Sequence, residues 1–165
     1  MVALDEKLTP GYLLPAIGWL WELSAAKILS IDAGDELGRS APVFTARGRY
    51  TSRGWTEWTQ GFVYGSAILQ FDATGDERFL ELGRERTRTR MATHVTHIGV
   101  HDHGFNNVST YGNLLRLMND GRISENRAER DFYELALKCS GAVQASRWTR
   151  LPGGGGFIYS FNGPH

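Results

Sequence analysis

Ile17, Leu20, Trp21, Ser24 and Ile28 recur at three- and four-residue intervals just after Pro15, which gathers them on one face and predicts an amphipathic helix over about 15–30 with proline in its first turn. That stripe needs a partner. From Ile31 to Gly54 the pattern breaks: four glycines, one proline and no sustained period predict a long loop, with a short strand near Pro42–Ala46. Apolar residues return at helical spacing over about 56–72 and stop at the turn Thr74-Gly75-Asp76, where the Asp76 carboxylate can cap a following helix running to about 93. This second helix buries Phe79, Leu80, Leu82 and Met91 at most, and its arginines form a solvated face. A helix over about 108–119, closed by Asp120-Gly121, and another over about 125–147 complete the series. In the last of these Phe132, Leu135, Ala136, Cys139 and Val143 fit one buried face. Five helices in an up-and-down order, hairpin after hairpin, predict an all-α fold built from stacked helix pairs with long loops. The tail from Leu151 is glycine-rich, then aromatic, and has no helix of its own.

Composition narrows the class without changing this picture. A chain of 165 residues, 41% apolar and 12% aromatic, can bury one core and is expected to form a single domain. Its 18 Lys+Arg balance its 18 Asp+Glu, so it has no basic field for nucleic acid or anionic lipid. A single cysteine, Cys139, excludes an internal disulfide, fits a reducing compartment, and at its helical position is expected to be a core residue. The amino terminus begins with acidic residues, and Pro15 and Gly18 interrupt its longest apolar run, which is wrong for a secretory signal. No run is long enough to span a bilayer. The expectation is a cytoplasmic protein with no membrane and no nucleic-acid partner.

Chemistry concentrates at His101-Asp102-His103-Gly104-Phe105-Asn106-Asn107, a run that suits neither a core helix nor a solvated surface. His94, His97, His101 and His103 lie within ten positions, and His97 and His101 are four apart as in zinc-binding pairs. Gly99 and the Asp-His-Gly sequence break the helix such a pair needs, and no glutamate follows the first histidine, so no metal and no cofactor are expected. Ser66 and Ser109 stand in no nucleophile elbow. The Pro152–Phe157 run lacks the Lys-Ser/Thr of a phosphate loop and is better read as a turn. Sugar chemistry accounts for more of the chain. Trp55, Trp58 and Phe62 can offer flat apolar platforms, while Asp102, Asn106 and Asn107 can engage hydroxyls.

Four motifs occur in order over roughly 55–161: Trp58-Thr59-Gln60-Gly61-Phe62, Thr74-Gly75-Asp76, His101-Asp102-His103-Gly104-Phe105 and Gly156-Phe157-Ile158-Tyr159-Ser160-Phe161. In order and interval they resemble the amino-terminal half of the unsaturated glucuronyl hydrolases of glycoside hydrolase family 88 and the related unsaturated rhamnogalacturonyl hydrolases. Each motif is weak alone and the ordered set is strong. The closing aromatic is Phe161, where that family more usually has tryptophan.

The resemblance implies an (α/α)6 toroid of about twelve helices, of which residues 1–165 would be the amino-terminal portion of a single catalytic domain. It implies removal of a 4,5-unsaturated uronic acid from the non-reducing end of lyase-generated oligosaccharides, by hydration of a vinyl ether. Asp102 matches the first of the family's two functional aspartates, and Trp58 and His101 match positions that line the sugar subsite; Asn107, whose amide can engage hydroxyls, is expected to bind substrate with them. The second aspartate, the general acid and base, has no match here, so the chain is expected to be inactive alone, and to self-associate or to need a complementary carboxy-terminal half. The plain alternative for Asp102 is a helix cap worth about 1 kcal/mol. Two other functions compete: a different (α/α)6 sugar enzyme such as an N-acylglucosamine 2-epimerase-like protein, and a non-catalytic carbohydrate-binding or interaction module.

Overall fold

The computed structural model describes residues 7–34, 41–53 and 58–160. The chain is predominantly helical, with two small antiparallel hairpins. Helix α1 spans Pro10–Ala33 and starts earlier than the spacing predicts: Thr9 caps it by accepting the Tyr12 N–H at 3.2 Å, and Pro10, not Pro15, takes the first-turn position. Strands β1 (Ala41–Ala46) and β2 (Arg49–Arg53) occupy most of the expected loop. They are joined by Arg47-Gly48 with φ of 53° and 74°, the positive values that a tight two-residue hairpin turn requires. The Arg-Gly pair carried that signal, and the single expected strand lacked its partner.

Helices α2 (Thr59–Thr74) and α3 (Glu77–Arg90) form the expected helical hairpin. Gly75 ends α2 at φ 73°, and the Asp76 carboxylate accepts the Arg78 N–H at 3.1 Å to start α3. A one-turn helix α4 (Ala92–Val95) follows. The chain then runs without regular helix to His103, re-enters as a π-helical segment over Gly104–Gly112, and continues directly as α5 (Asn113–Asn119). Helix α6 covers Arg127–Ser146. Strands β3 (Trp148–Arg150) and β4 (Gly156–Ile158) close the described chain as a hairpin whose turn needs Gly153, Gly154 and Gly155 at φ 89°, 103° and 75°. The glycine run is thus a turn, as the sequence reading favoured over a phosphate loop.

The core is centred on α2. Tyr64, Ala67, Ile68 and Phe71 meet Phe79 and Leu80 of α3, Tyr111 of the π segment, Leu114 and Leu117 of α5, and Tyr133 and Ala136 of α6. Met91 is fully buried and Leu82 packs against the core, as expected of the α3 stripe. The arginines of α3 are less uniformly solvated than expected, since Arg86 makes a two-pronged ion pair with Asp32 at 2.6 and 3.0 Å that ties α3 to the end of α1.

Two predicted faces are corrected. On α6 the buried residues are Tyr133, Ala136 and Ser140, whereas Phe132 and Leu135 are exposed and Cys139 and Val143 only half-buried. The apolar stripe is real, but the helix turns a neighbouring face to the core. On α1, among the described residues, only Ile28 is buried, and Ile17 and Leu20 are exposed because no described element covers that part of the stripe.

Candidate functional site

Trp58 ends at the mouth of α2, one residue before its first turn, and Phe62 follows four residues later on the same face. Phe105, the second residue of the π segment, joins them. The three rings are mutually 5.3–5.8 Å apart and each is about two-fifths exposed, which leaves an aromatic surface facing solvent. Trp55 and Phe161 lie outside the described residues.

Gly61 makes this surface possible. A Cβ there would lie 2.1 Å from the Phe105 carbonyl oxygen and 2.4 Å from the Asn106 Cα, so only glycine lets α2 touch the π segment. Gly65, one turn on, meets the Ser109 carbonyl in the same way at 2.6 Å. The contact also caps a helix. The Gly61 N–H, near the start of α2, donates at 2.9 Å to Oδ1 of Asn106, which is 45 residues away in sequence. Trp58 at the cap position supplies no side-chain bond of its own.

Asp102 precedes the π segment in a turn. Its backbone carbonyl accepts the Asn106 N–H at 3.2 Å, but no side chain caps this helix start. The carboxylate is therefore not a helix cap. Its side chain retains only 11% of its exposure, and its ionic neighbour is His101, with Nε2 3.6 Å from Oδ1. Among the described residues no donor hydrogen-bonds to it, so its lone pairs remain for a hydroxyl or for positive charge. His101 is half-exposed; its backbone N–H donates to the Ser160 carbonyl at 3.0 Å and its ring Nδ1 lies 3.1 Å from the same oxygen. Gly104 opens the π segment without a positive φ.

Beneath these residues lies a buried polar layer. Asn107 is fully buried, its amide donating to the His94 carbonyl at 3.2 Å and to Ser140 Oγ at 3.1 Å. The His103 ring bridges Ser140 Oγ at 2.8 Å and the His97 carbonyl at 2.6 Å. His94 Nε2 donates to Gln60 Oε1 at 2.5 Å, and burial, followed by the nearby His97 and His103, lowers its pKa to about 4, so the ring is neutral. Burial, followed by the nearby His103 and Arg147, lowers the His97 pKa as well. These histidines are engaged separately, and among the described residues no group of three or more His, Cys, Asp or Glu is placed to hold a metal.

Trp58 thus stands in the aromatic cluster with Phe105, which follows Asp102 by three residues; His101 and Asp102 adjoin in the preceding turn, and Asn107 is fully buried in the polar layer. Reasoning from sequence missed Asn106 as a remote cap, Gly61 as a contact point, and Ser140 of α6 and Arg147 at its end as supports. Small and polar residues at helical spacing on a buried stripe were the available signal. The spacing was assigned to the wrong face.

No family model matches the chain, and no curated protein matches it. A solved structure, the "Crystal structure of unsaturated glucuronyl hydrolase specific for heparin", matches in fold with a TM-score of 0.65 at 20% identity. The match covers 90% of this chain and 37% of that one, so the chain spans little more than a third of its neighbour's length. The fold is therefore all-α and toroid-like, of a kind a glycoside hydrolase uses.

Proposed function

We propose that this chain is the amino-terminal portion of an (α/α)6 glycoside hydrolase domain that removes 4,5-unsaturated uronic acid from oligosaccharides. The observation that carries the reading is Asp102: a mostly buried carboxylate, unused by the backbone, beside His101 and near an exposed aromatic surface, in a fold shared with an unsaturated glucuronyl hydrolase. In this chemistry a proton adds to C4 of the vinyl ether, positive charge develops at C5, water adds there, and the resulting hemiketal collapses to release the rest of the glycan. Asp102 binds a substrate hydroxyl and stabilises the developing charge. Trp58, with Phe62 and Phe105, receives the apolar face of the sugar, and His101 borders the subsite. Asn107 positions this layer from below.

The general acid belongs to a part of the family pattern that finds no counterpart in this chain. Its lack costs about 10²–10⁴ in rate, so the chain alone binds without turnover, and a complementary half or a second copy covers its open helix faces. The test is titration with a 4,5-unsaturated glucuronyl disaccharide, followed by NMR shifts and by the ultraviolet absorbance of the conjugated double bond. Shifts centred on Trp58, His101 and Asp102 with the absorbance preserved are expected. Shifts absent from these residues at millimolar disaccharide overturn the reading.

A further inference from the structure

The segment between α4 and the π segment has no helix to hold it, yet it presents His101 and Asp102. Its anchors come largely from one stripe of α6. Ser140 Oγ meets the His103 ring at 2.8 Å, Gln144 Nε2 donates to the Val100 carbonyl at 3.4 Å, and Arg147 Nη1 donates to the Ile98 carbonyl. Ser140 and Gln144, four apart, share one face of α6, and Arg147 follows three residues on as the residue that ends the helix. Tyr133 and Ala136 continue that face into the core.

Arg147 has the widest reach of the three. Its side chain is among the largest fully buried in the molecule. Nη2 donates to the carbonyls of Tyr159 at 2.5 Å and Ser160 at 2.8 Å, and the guanidinium carbon lies 4.7 Å from the centre of the Tyr159 ring. The Ser160 oxygen is the same one that receives the His101 N–H. One planar fork therefore joins the segment before His101, at the Ile98 carbonyl, to the tail that holds His101 from the other side. A lysine ammonium, a single point of donation, cannot span both.

We propose that Arg147 is a positioning residue for the His101–Asp102 turn, acting through the carbonyls of Ile98, Tyr159 and Ser160 without touching a ligand. The inference rests on the glycan-binding reading for its purpose, but not for its physical test. The intact chain and its Arg147→Lys variant are compared by residue-resolved amide hydrogen exchange. The His101 amide should exchange at least about tenfold faster in the variant, while Ile68 and Leu117 amides keep their rates. Gln144→Ala, removing the longer bond, should have a smaller effect. If Arg147→Lys loses protection throughout, Tyr159→Leu replaces it, since that change removes the stacked ring and leaves the guanidinium and its acceptors; a local rise at His101 is again expected. His101 exchange within about twofold of the parent in a folded variant overturns the proposal. Affinity for the unsaturated disaccharide is measured alongside and should fall at least about tenfold in Arg147→Lys. A parent chain that binds no disaccharide refutes the glycan reading, and exchange at His101 then decides the clamp alone. Unchanged affinity despite faster exchange overturns the positioning role.

Discussion

Asp102 and His94 show how two ionisable groups a few residues apart come to differ. Asp102 keeps its carboxylate free of the backbone, so replacing it by asparagine removes charge without removing a cap. If the proposed hydrolase reading holds, then in a longer form that carries the second acid Asp102→Asn lowers kcat about 10²–10³-fold and leaves the melting temperature unchanged; calorimetry with the absorbance assay checks both. His94 is held neutral by burial, with a folded pKa of about 4 against 6.5 when exposed. Because the folded value is the lower, the unfolded chain takes up the proton first as pH falls. Stability is complete above pH 6.5 and declines toward pH 4, by on the order of 3 kcal/mol from this group. Denaturant unfolding of the parent and of His94→Gln across that window should show a shallower decline in the variant.

At the scale of elements, two glycines of the motifs have opposite meanings. Gly61 faces the Phe105 carbonyl at a distance that no Cβ can share, so Gly61→Ala must push α2 away from the π segment and stretch the Asn106 cap. A loss of about 1–3 kcal/mol is expected. Gly104 has open space and ordinary φ, so Gly104→Ala should be neutral or stabilise by up to about 1 kcal/mol. Urea unfolding midpoints of the two variants check the contrast. Helix α6 shows why burial had to be seen in the structure. Its sequence offers an apolar stripe through Phe132 and Leu135 and a mixed stripe through Tyr133, Ala136, Ser140 and Arg147. The helix period is satisfied by either, and the mixed one is buried because its polar groups find partners in the segment around His101: the His103 ring for Ser140, and the Val100 and Ile98 carbonyls for Gln144 and Arg147.

Among the described residues, the largest run of open apolar surface lies on α1, with smaller exposed groups at the Trp58–Phe62–Phe105 cluster and along the β3–β4 hairpin. Tyr12, Leu14 and Trp19 are each more than three-fifths exposed, and no charge interrupts Pro10–Trp21. A helix apolar on all sides is normally enclosed, and an exposed patch of this kind favours association. Sedimentation velocity should show mass rising with concentration, and Leu14→Glu with Trp19→Glu should return the chain toward monomer. None of the described helices is long and apolar enough to cross a membrane.

Helix existence was legible in the sequence because it depends on local chemistry: periodic apolar residues, the Gly75 stop, the Asp76 cap and the Asp120-Gly121 ending all act within a few residues. The ordered motifs also pointed to the all-α toroid-like fold that the solved neighbour shares. Tertiary structure decided which face of α1 and α6 is buried, the β2, β3 and β4 pairings, and the roles of Gly61, Asn106 and Arg147. Each of these is a contact between residues distant in sequence or a choice between two faces with similar local pattern. A helix period carries no information about which neighbour will arrive, so the mostly buried Asp102 carboxylate beside His101 and the fully buried Asn107 amide take their places only once α2, the π segment and α6 have packed together.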